Sequence, residues 1–167
     1  DTSSWYATVG TGAGTGTLTV TGNTNDGISS SDGLVIVSGV LKVTAADDGI
    51  RGNDYVQVLA GTIDVQAAGD AIKSENAEEE GRGWVRIDGG TLTLDGGEAG
   101  TQTNTVAGEM WLASVPDVAA NLVLINTSLT TSSWLAMGRG NGETGTVSTL
   151  TATDSTITTA NFSTGYG

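Results

Sequence analysis

Acidic side chains recur at a fixed interval in the central part of the sequence. Asp26, Asp48 and Asp70 are equally spaced, and Asp47 precedes the second of them. In a stack of repeats these carboxylates would lie about 4.8 Å apart, so their charges would repel each other unless something offsets them. One interpretation is that each carboxylate accepts backbone N–H bonds in its own turn. The other is a calcium ion shared between adjacent turns, which needs about six to eight oxygen ligands.

Two basic residues follow this acidic column at the same spacing. The interval from Arg51 to Lys73 equals the interval from Asp48 to Asp70, so the two basic residues would stack beside the column and help to offset its charge. A polysaccharide lyase on such a scaffold needs a basic catalytic residue close to a bound metal ion, and this cluster would supply both. A calcium-dependent lyase is therefore one alternative, although the main expectation is that the protein is not an enzyme.

A tryptophan follows the most acidic stretch of the chain. Trp84 lies close in sequence to five charged residues, which are Glu78, Glu79, Glu80, Arg82 and Arg86. An exposed tryptophan in such surroundings suits a sugar, because the ring offers a stacking face and the charged groups hydrogen-bond to hydroxyls. The alternative is that Trp84 covers the root of an inserted loop. On the first interpretation, residues 73–84 are the recognition patch. The candidate ligand-binding residues are then Trp84, these five charged residues, and the basic residues Arg51 and Lys73.

Composition limits the chemistry and the partners of this chain. There are 19 acidic and 6 basic residues, which gives a formal net charge of −13. This charge repels phosphate backbones and anionic lipid headgroups, so we expect neither nucleic-acid binding nor membrane insertion. The sequence contains no histidine and no cysteine. Ser-His-Asp and Cys-His nucleophilic sites and the usual zinc ligands are therefore excluded.

The elements that would position these residues are short strands in a repeating unit. Apolar residues alternate along each unit and superimpose on the next unit, with Leu34 on Val56 and Leu41 on Ile63. Alternation turns one face inward and the other outward, and a unit this short buries its apolar face only when copies stack. No window sustains the apolar spacing of a helix. The sequence predicts an all-β, single-stranded right-handed parallel β-helix, a β-solenoid with about six to eight rungs of ~20–28 residues.

We expect a single domain, residues 1–167, that contains two types of repeat. The regular 22-residue repeat covers residues 25–96, and residues 97–121 interrupt its register. A second, looser repeat occupies residues 1–24 and 122–167.

The second repeat is marked by tryptophan. The segment that starts at Trp111 aligns with the one that starts at Trp134, and the segment that starts at Asn126 matches the one that starts at Asp154. The surroundings of Trp5 resemble those of Trp134. We therefore expect these three tryptophans to cover corners or fill the ends of the core rather than form a ligand platform.

Two parts of the sequence resemble known families. Residues 33–97 resemble secreted bacterial carbohydrate-binding-type β-helix domains, through the stretches from Ala45 to Val56 and from Gly69 to Asn76. The end blocks resemble the β-helical repeats of autotransporter passengers, through the stretch from Trp134 to Gly142. Both resemblances imply an extracellular β-solenoid that is secreted or lies at the cell surface. Ala71 departs from the first pattern, because it replaces the glycine of the third Asp-Gly turn.

These features favour a non-catalytic structural or adhesive module of the cell surface. Neither end carries an obvious cap, so we expect copies to stack head to tail into fibres, with the chain as its own partner. The alternative is a carbohydrate-binding module with an extracellular polysaccharide as its partner, and the second alternative is the calcium-dependent lyase. No cofactor is expected unless calcium occupies the aspartate column.

Overall fold

The computed structural model describes residues 8–9, 16–96, 102–114, 117–138 and 147–165 of the chain. Its strands are β1 (Thr8–Val9), β2 (Thr17–Gly22), β3 (Ile28–Ser30), β4 (Gly33–Ile36), β5 (Val40–Ala45), β6 (Ile50–Gly52), β7 (Tyr55–Val58), β8 (Thr62–Ala67), β9 (Ile72–Ser74), β10 (Trp84–Ile87), β11 (Gly90–Asp95), β12 (Thr103–Val106), β13 (Met110–Leu112), β14 (Ala119–Ile125), β15 (Ser128–Met137), β16 (Val147–Thr153) and β17 (Thr156–Thr164). None of these described residues is helical. In this part of the chain, therefore, no helix is long and apolar enough to cross a membrane.

The strands coil into a β-solenoid with three faces. Face 1 contains β3, β6, β9, β12 and the first half of β15, face 2 contains β1, β4, β7, β10, β13 and the second half of β15, and face 3 contains β2, β5, β8, β11, β14 and β16. β17 extends both halves of β15, and neighbouring strands are parallel. The all-β parallel solenoid is confirmed, with about five turns rather than six to eight. Its right-handed sense stays a prediction.

Columns of aliphatic side chains fill the interior in the predicted register. Ile28 pairs with Ile50, and Ile50 pairs with Ile72. On face 3, Leu41 pairs with Ile63 in the same way. Ile50, Ile63 and Ile72 are fully buried. Burial of each such side chain contributes about 1.5–3 kcal/mol relative to exposure, so these columns are the main stabilising feature of the fold.

A column of glycines forms the corner between face 2 and face 3. Gly39, Gly61 and Gly90 have φ angles of 111°, 110° and 84°, a backbone conformation that L side chains rarely adopt. A Cβ at Gly61 would also lie 2.6 Å from the carbonyl oxygen of Gly39. Glycine is therefore required here both for the turn and for the close stacking of successive rungs.

The segment described from the sequence as irregular, residues 97–121, continues the stack in the part that the structure describes. β12 pairs with β9 and β15, and β13 pairs with β10 and β15. The change lies inside the core, where Asn104 takes the place that Ile72 has in the rung before and is fully buried. Its Oδ1 accepts a bond from the Ile72 N–H at 3.0 Å, and its Nδ2 donates to Thr127 Oγ1 at 2.9 Å. A satisfied polar side chain thus interrupts the aliphatic column without ending the solenoid.

One alignment in the second repeat is wrong. Trp111 pairs with Ala136, and Trp134 pairs with Asn161, so the two tryptophans do not occupy the same repeat position. The reason is the length of this rung. β15 pairs with β12 and β13 at one constant interval, with Thr103 opposite Ser128 and Met110 opposite Leu135, and this interval is two residues longer than the spacing between the two tryptophans. Trp5 lies outside the described residues.

The other match in the second repeat is confirmed. Ser128 pairs with Thr156 on face 1. Asn126 and Asp154, which precede these strands, have left-handed φ angles of 51° and 49°. Asparagine and aspartate tolerate this conformation better than most residues, so the same turn is built twice.

Candidate functional site

Four aromatic residues gather on the outer surface of face 2. They are Tyr55, Trp84, Trp111 and Trp134, and they include every tyrosine and tryptophan whose side chain the structure describes. Strand alternation explains their direction, because the residue after each of them points into the core and is fully buried. We call these four residues the aromatic row.

Three rings of the aromatic row, those of Tyr55, Trp84 and Trp111, stack on one another across the strands. Tyr55 and Trp84 are directly opposite in register, with centroids 4.6 Å apart and an interplanar angle of 8°. Trp84 and Trp111 have centroids 6.0 Å apart at 22°. On the other side of Tyr55 lies Gly33, where a Cβ would overlap the tyrosine ring. Because Tyr55 and Trp111 stack on Trp84 from the two neighbouring strands, both faces of its indole ring are covered. The stack presents ring edges to solvent instead of the free indole face expected from the sequence.

Trp134 is the most open member of the row. It lies on β15, the neighbour of β13 in the sheet, and 38% of its surface is exposed. An indole that is apolar over most of its surface, with one N–H donor, suits a ligand that is itself partly apolar and partly polar.

A buried carboxylate organises the polar groups beside the row. Asp88 is 3% exposed, and its Oδ1 accepts bonds from Arg86 Nε and from Ser114 Oγ, both at 2.6 Å. Its Oδ2 accepts a bond from Gln57 Nε2 at 2.7 Å. Gln57 and Arg86 are opposite each other in register. Within the described parts of the chain the Arg86 guanidinium has no other partner, so its terminal amino groups are available to a ligand.

Arg51 and Lys73, the basic residues predicted to bind a ligand or to catalyse, lie on face 1 and are neutralised there. Arg51 Nε donates to Glu75 Oε1 at 2.9 Å, and Lys73 Nζ lies 3.0 Å from Asp48 Oδ2 and 3.4 Å from Glu75 Oε2. The hydrogen bond from Arg51, together with the charge of Lys73, holds the pKa of Glu75 below its usual range despite partial burial. Burial alone would lower the pKa of Lys73, but the bond to Asp48 and the surrounding carboxylates raise it overall.

The inserted loop forms a separate polar cleft. Arg82 pairs with Asp54 at 2.7 Å and more loosely with Glu79 at 3.7 Å. Glu78 and Glu80 are exposed. The cleft has a volume of about 440 Å³ and is lined by Asn53, Glu75, Asn76, Ala77, Glu78 and Glu79. The predicted patch is therefore divided: Trp84 and Arg86 belong to the aromatic surface of face 2, whereas the loop carboxylates line this cleft.

The aspartate column is only partly assembled. Carboxylate oxygens of Asp26, Asp47 and Asp48 lie within 4.8 Å of one another, but Asp70 is not in this group. The Asp70 carboxylate accepts a bond from Thr103 Oγ1, and the Asp70 N–H donates to Asp48 Oδ1 at 3.0 Å. Asp48 thus accepts an N–H bond from the next rung rather than from its own turn. Both of its oxygens are engaged, because Lys73 binds Oδ2, and a cation would compete with that ammonium group. Calcium here stays a prediction.

Sequence reasoning missed most of the aromatic surface. Tyr55 and Asp88 were not among the candidate residues, and Trp111 and Trp134 were interpreted as packing residues. A signal for Tyr55 was present, because it directly precedes a core valine, as Trp84 does, and those two valines align. That alignment places the two rings opposite each other.

Comparison with protein families gives a match that covers most of the chain. Residues 11–162 match a family model described as carbohydrate-binding domain-containing protein. Neither the curated proteins nor the solved structures gave a match. The matched segment includes the whole aromatic row and the polar groups around Asp88. The chain belongs to the family of carbohydrate-binding domain-containing proteins.

Proposed function

We propose that this chain is a non-catalytic module that binds a polysaccharide on the outer surface of face 2, outside the cell. The observation that carries the proposal is the collection of Tyr55, Trp84, Trp111 and Trp134 on one exposed surface of a protein from a carbohydrate-binding family. Aromatic residues contribute most of the contact area at many binding surfaces, and their ring edges carry partial positive charge that attracts hydroxyl oxygens.

The polar groups beside the row complete the surface. Arg86 offers donors from its terminal amino groups, and Gln57 offers a side-chain carbonyl oxygen, because its amide nitrogen is bonded to Asp88. Sugar hydroxyls both donate and accept hydrogen bonds, so a donor and an acceptor in neighbouring rungs match their chemistry. Asp88 holds both side chains in place and is itself too buried to meet a large ligand.

The lyase alternative has less support. A general base in such an enzyme needs a pKa near the working pH, whereas contacts with carboxylates raise the pKa of Lys73 above its ordinary value. Arg51 is paired with Glu75 and its pKa is also raised, with that hydrogen bond as the main cause. Both side chains therefore stay protonated at neutral pH.

Affinity electrophoresis through gels that contain soluble polysaccharides tests the proposal. We expect at least one polysaccharide to retard the protein, and Trp134→Ala to lose most of that retardation while its circular dichroism stays unchanged. Ile125→Ala is the matched control, because Ile125 is an apolar residue of similar exposure, 36% against 38%, on face 3. Equal retardation of Trp134→Ala and the parent protein would contradict the assignment of the surface.

A structural or adhesive role is the second candidate, and exposed apolar residues near the two ends of the described solenoid favour it. Phe162 is 54% exposed on β17, and Leu18 is 43% exposed on β2. In the described residues β17 pairs only with β15, so its other edge has free backbone groups for a further strand. These features support head-to-tail stacking of copies.

Sedimentation velocity tests the stacking. We expect concentration-dependent oligomers of the parent protein and monomers of Leu18→Asp, because a buried charge at the contact costs more than the contact gains. Thr62→Asp controls for the added charge, because Thr62 is exposed on β8, which lies between β5 and β11 and away from both ends of the stack. A parent protein that is monomeric at the highest soluble concentration would contradict the fibre.

A further inference from the structure

Both ends of the stack expose side chains that point into the core. Leu18 is the first residue of the face 3 column that runs through Leu41 to Leu150, and it is 43% exposed. At the other end, Phe162 pairs with Leu135, which is fully buried, but is itself 54% exposed. These two inward residues are exposed because no further rung covers them in the part of the chain that the structure describes.

The strands at both ends also lack the usual protection of a sheet edge. β2 and β3 lie at one end of the stack, and β16 and β17 lie at the other. None of these four strands contains a charged residue or a proline, which are the devices that commonly prevent an edge strand from pairing. The protein has a net charge of −13, so uncharged end strands let two copies meet without direct contact between like charges.

The inward residues of the two ends would continue one another. If β16 pairs with β2 of a second copy in the register of the stack, Leu150 lies next to Leu18. If the first half of β17 pairs with β3 in the same way, Ile157 lies next to Ile28. The aliphatic columns of one copy then run on into the next, and the apolar surface exposed at both ends is buried. A second copy of this chain is therefore the partner that fits these ends.

Face 2 does not allow this junction without a rearrangement. In the described residues it contains seven strand segments, whereas faces 1 and 3 contain six each. When β16 meets β2 and the first half of β17 meets β3, the second half of β17 and the second copy's β1 therefore require the same position beside β4. β1 is the weaker competitor, because it forms two register pairs with β4, whereas the second half of β17 forms four with β15.

We infer that copies of this chain join by strand replacement, in which the second half of β17 displaces β1 and pairs with β4 of the next copy. In the register of the stack, Phe162 then continues the core column of Leu34, and Ser163 lies opposite Val35 on the outer surface. The inference rests on the head-to-tail stacking proposed above and adds its register and the strand that must leave. A β1 that cannot leave should therefore prevent the stacking.

The first test locks β1 in place with a disulfide, which is specific because the chain has no cysteine of its own. Thr8 and Val35 are directly opposite in parallel strands, and the strand spacing of about 4.8 Å is within the Cα distance of a disulfide, about 4.4–6.8 Å. We expect Thr8→Cys/Val35→Cys to remain monomeric in sedimentation velocity when oxidised and to form the parent's oligomers when reduced. Thr62→Cys/Thr91→Cys, which joins β8 to β11 in mid-stack, is the control and should form oligomers in both states.

The results separate the inference from the stacking on which it rests. Equal oligomerisation of the oxidised and reduced Thr8→Cys/Val35→Cys protein would overturn strand replacement and leave the stacking intact. A parent protein that is monomeric at the highest soluble concentration would overturn both.

The second test detects the new strand pair directly. Val35 and Ser163 lie in the same outer column but four strands apart from one another within a copy, so a disulfide between them must join two copies. We expect oxidised Val35→Cys/Ser163→Cys to give a ladder of dimers and higher oligomers on a non-reducing denaturing gel. Gln57→Cys/Ser163→Cys, with the first cysteine one strand further in, is the control and should give no ladder. Oligomers without a ladder from the Val35→Cys/Ser163→Cys protein would overturn the inference.

Discussion

At the scale of single residues, Asp88 determines how the proposed binding surface presents its polar groups. One nearly buried carboxylate holds Gln57, Arg86 and Ser114, which come from three successive rungs. Hydrogen bonds to a charged acceptor are about twice as strong as neutral ones. The side chains beside the aromatic row are therefore oriented before any ligand arrives.

Replacing Asp88 tests this positioning role. Asp88→Asn keeps the size but substitutes a donor for one acceptor oxygen, so either Gln57 or Arg86 loses its anchor. We expect polysaccharide affinity to fall several-fold and the free energy of unfolding to fall by about 1–3 kcal/mol. In an Arg86→Gln background the same change should weaken binding much less, because the two residues act as a unit. If the effects of the two substitutions on affinity are fully additive in this double-mutant cycle, Asp88 does not position Arg86. Asp64→Asn on face 3 is the control and should leave the affinity unchanged.

Glu75 gives a prediction on pH. Its pKa is lowered in the folded protein by the hydrogen bond from Arg51 and by Lys73. The stabilisation is therefore present above the unfolded-state pKa of about 4.3 and is lost as pH falls through the lower folded-state value. We expect thermal midpoints to fall between about pH 5 and about pH 3, and to fall less in Glu75→Gln.

The size of this effect is limited by solvent. The Glu75 side chain is 37% exposed, and exposed ion pairs contribute about 0–1 kcal/mol. Glu78→Gln, in the exposed loop, is the control and should retain the parent's pH dependence. If Glu75→Gln and the parent protein show the same fall in midpoint, the ion pair does not stabilise the fold.

At the scale of elements, the sequence predicts a strand well where apolar residues alternate and fails where a polar residue takes a core position. The regular rungs were predictable because each core aliphatic residue recurs at the same position of the next repeat. Asn104 was not, because an asparagine between threonines is typical of an outer surface. Only the contacts with the backbone of Ile72 and with Thr127 show why it is inside.

Replacing Asn104 by leucine tests whether its hydrogen bonds contribute more to the free energy of unfolding than a buried apolar side chain would. Asn104→Leu would extend the aliphatic column but leave the Ile72 N–H without an acceptor. We expect a loss of about 1–3 kcal/mol in urea unfolding, the cost of a buried unsatisfied group. Ile72→Leu in the same column conserves volume and should cost less than about 1.5 kcal/mol. A more stable Asn104→Leu protein would show that the polar interruption is not a stabilising element.

The register of β15 against β13 could not be predicted, for a related reason. The segments around Trp111 and Trp134 look alike, yet the register follows the inward residues, with Met110 opposite Leu135. Both of these side chains are fully buried, so the free energy of packing decides the alignment. Sequence similarity between outward tryptophans carries no such constraint.

At the scale of the whole molecule, the regular repeat made the architecture predictable, and the unequal lengths of the rungs changed the number of turns. In the regular part of face 3, Leu41 pairs with Ile63. Leu122 pairs with Leu92 before it and with Leu150 after it, and both of these intervals are longer than the regular one. Longer rungs mean fewer turns from the same chain. The proposed binding surface was harder to predict. It joins Tyr55 and Trp84, which the inserted loop separates in sequence, to two tryptophans whose spacing differs from the length of their rung.

The most direct test of the account is hydroxyl-radical footprinting of the protein with and without the polysaccharide that retards it. We expect oxidation of Trp111 and Trp134 to fall several-fold in the complex, with Ile125 and Val123 on face 3 unchanged. Protection of face 3 or of the cleft beside Glu78, with Trp134 still fully reactive, would contradict the central claim that the aromatic row of face 2 binds the glycan.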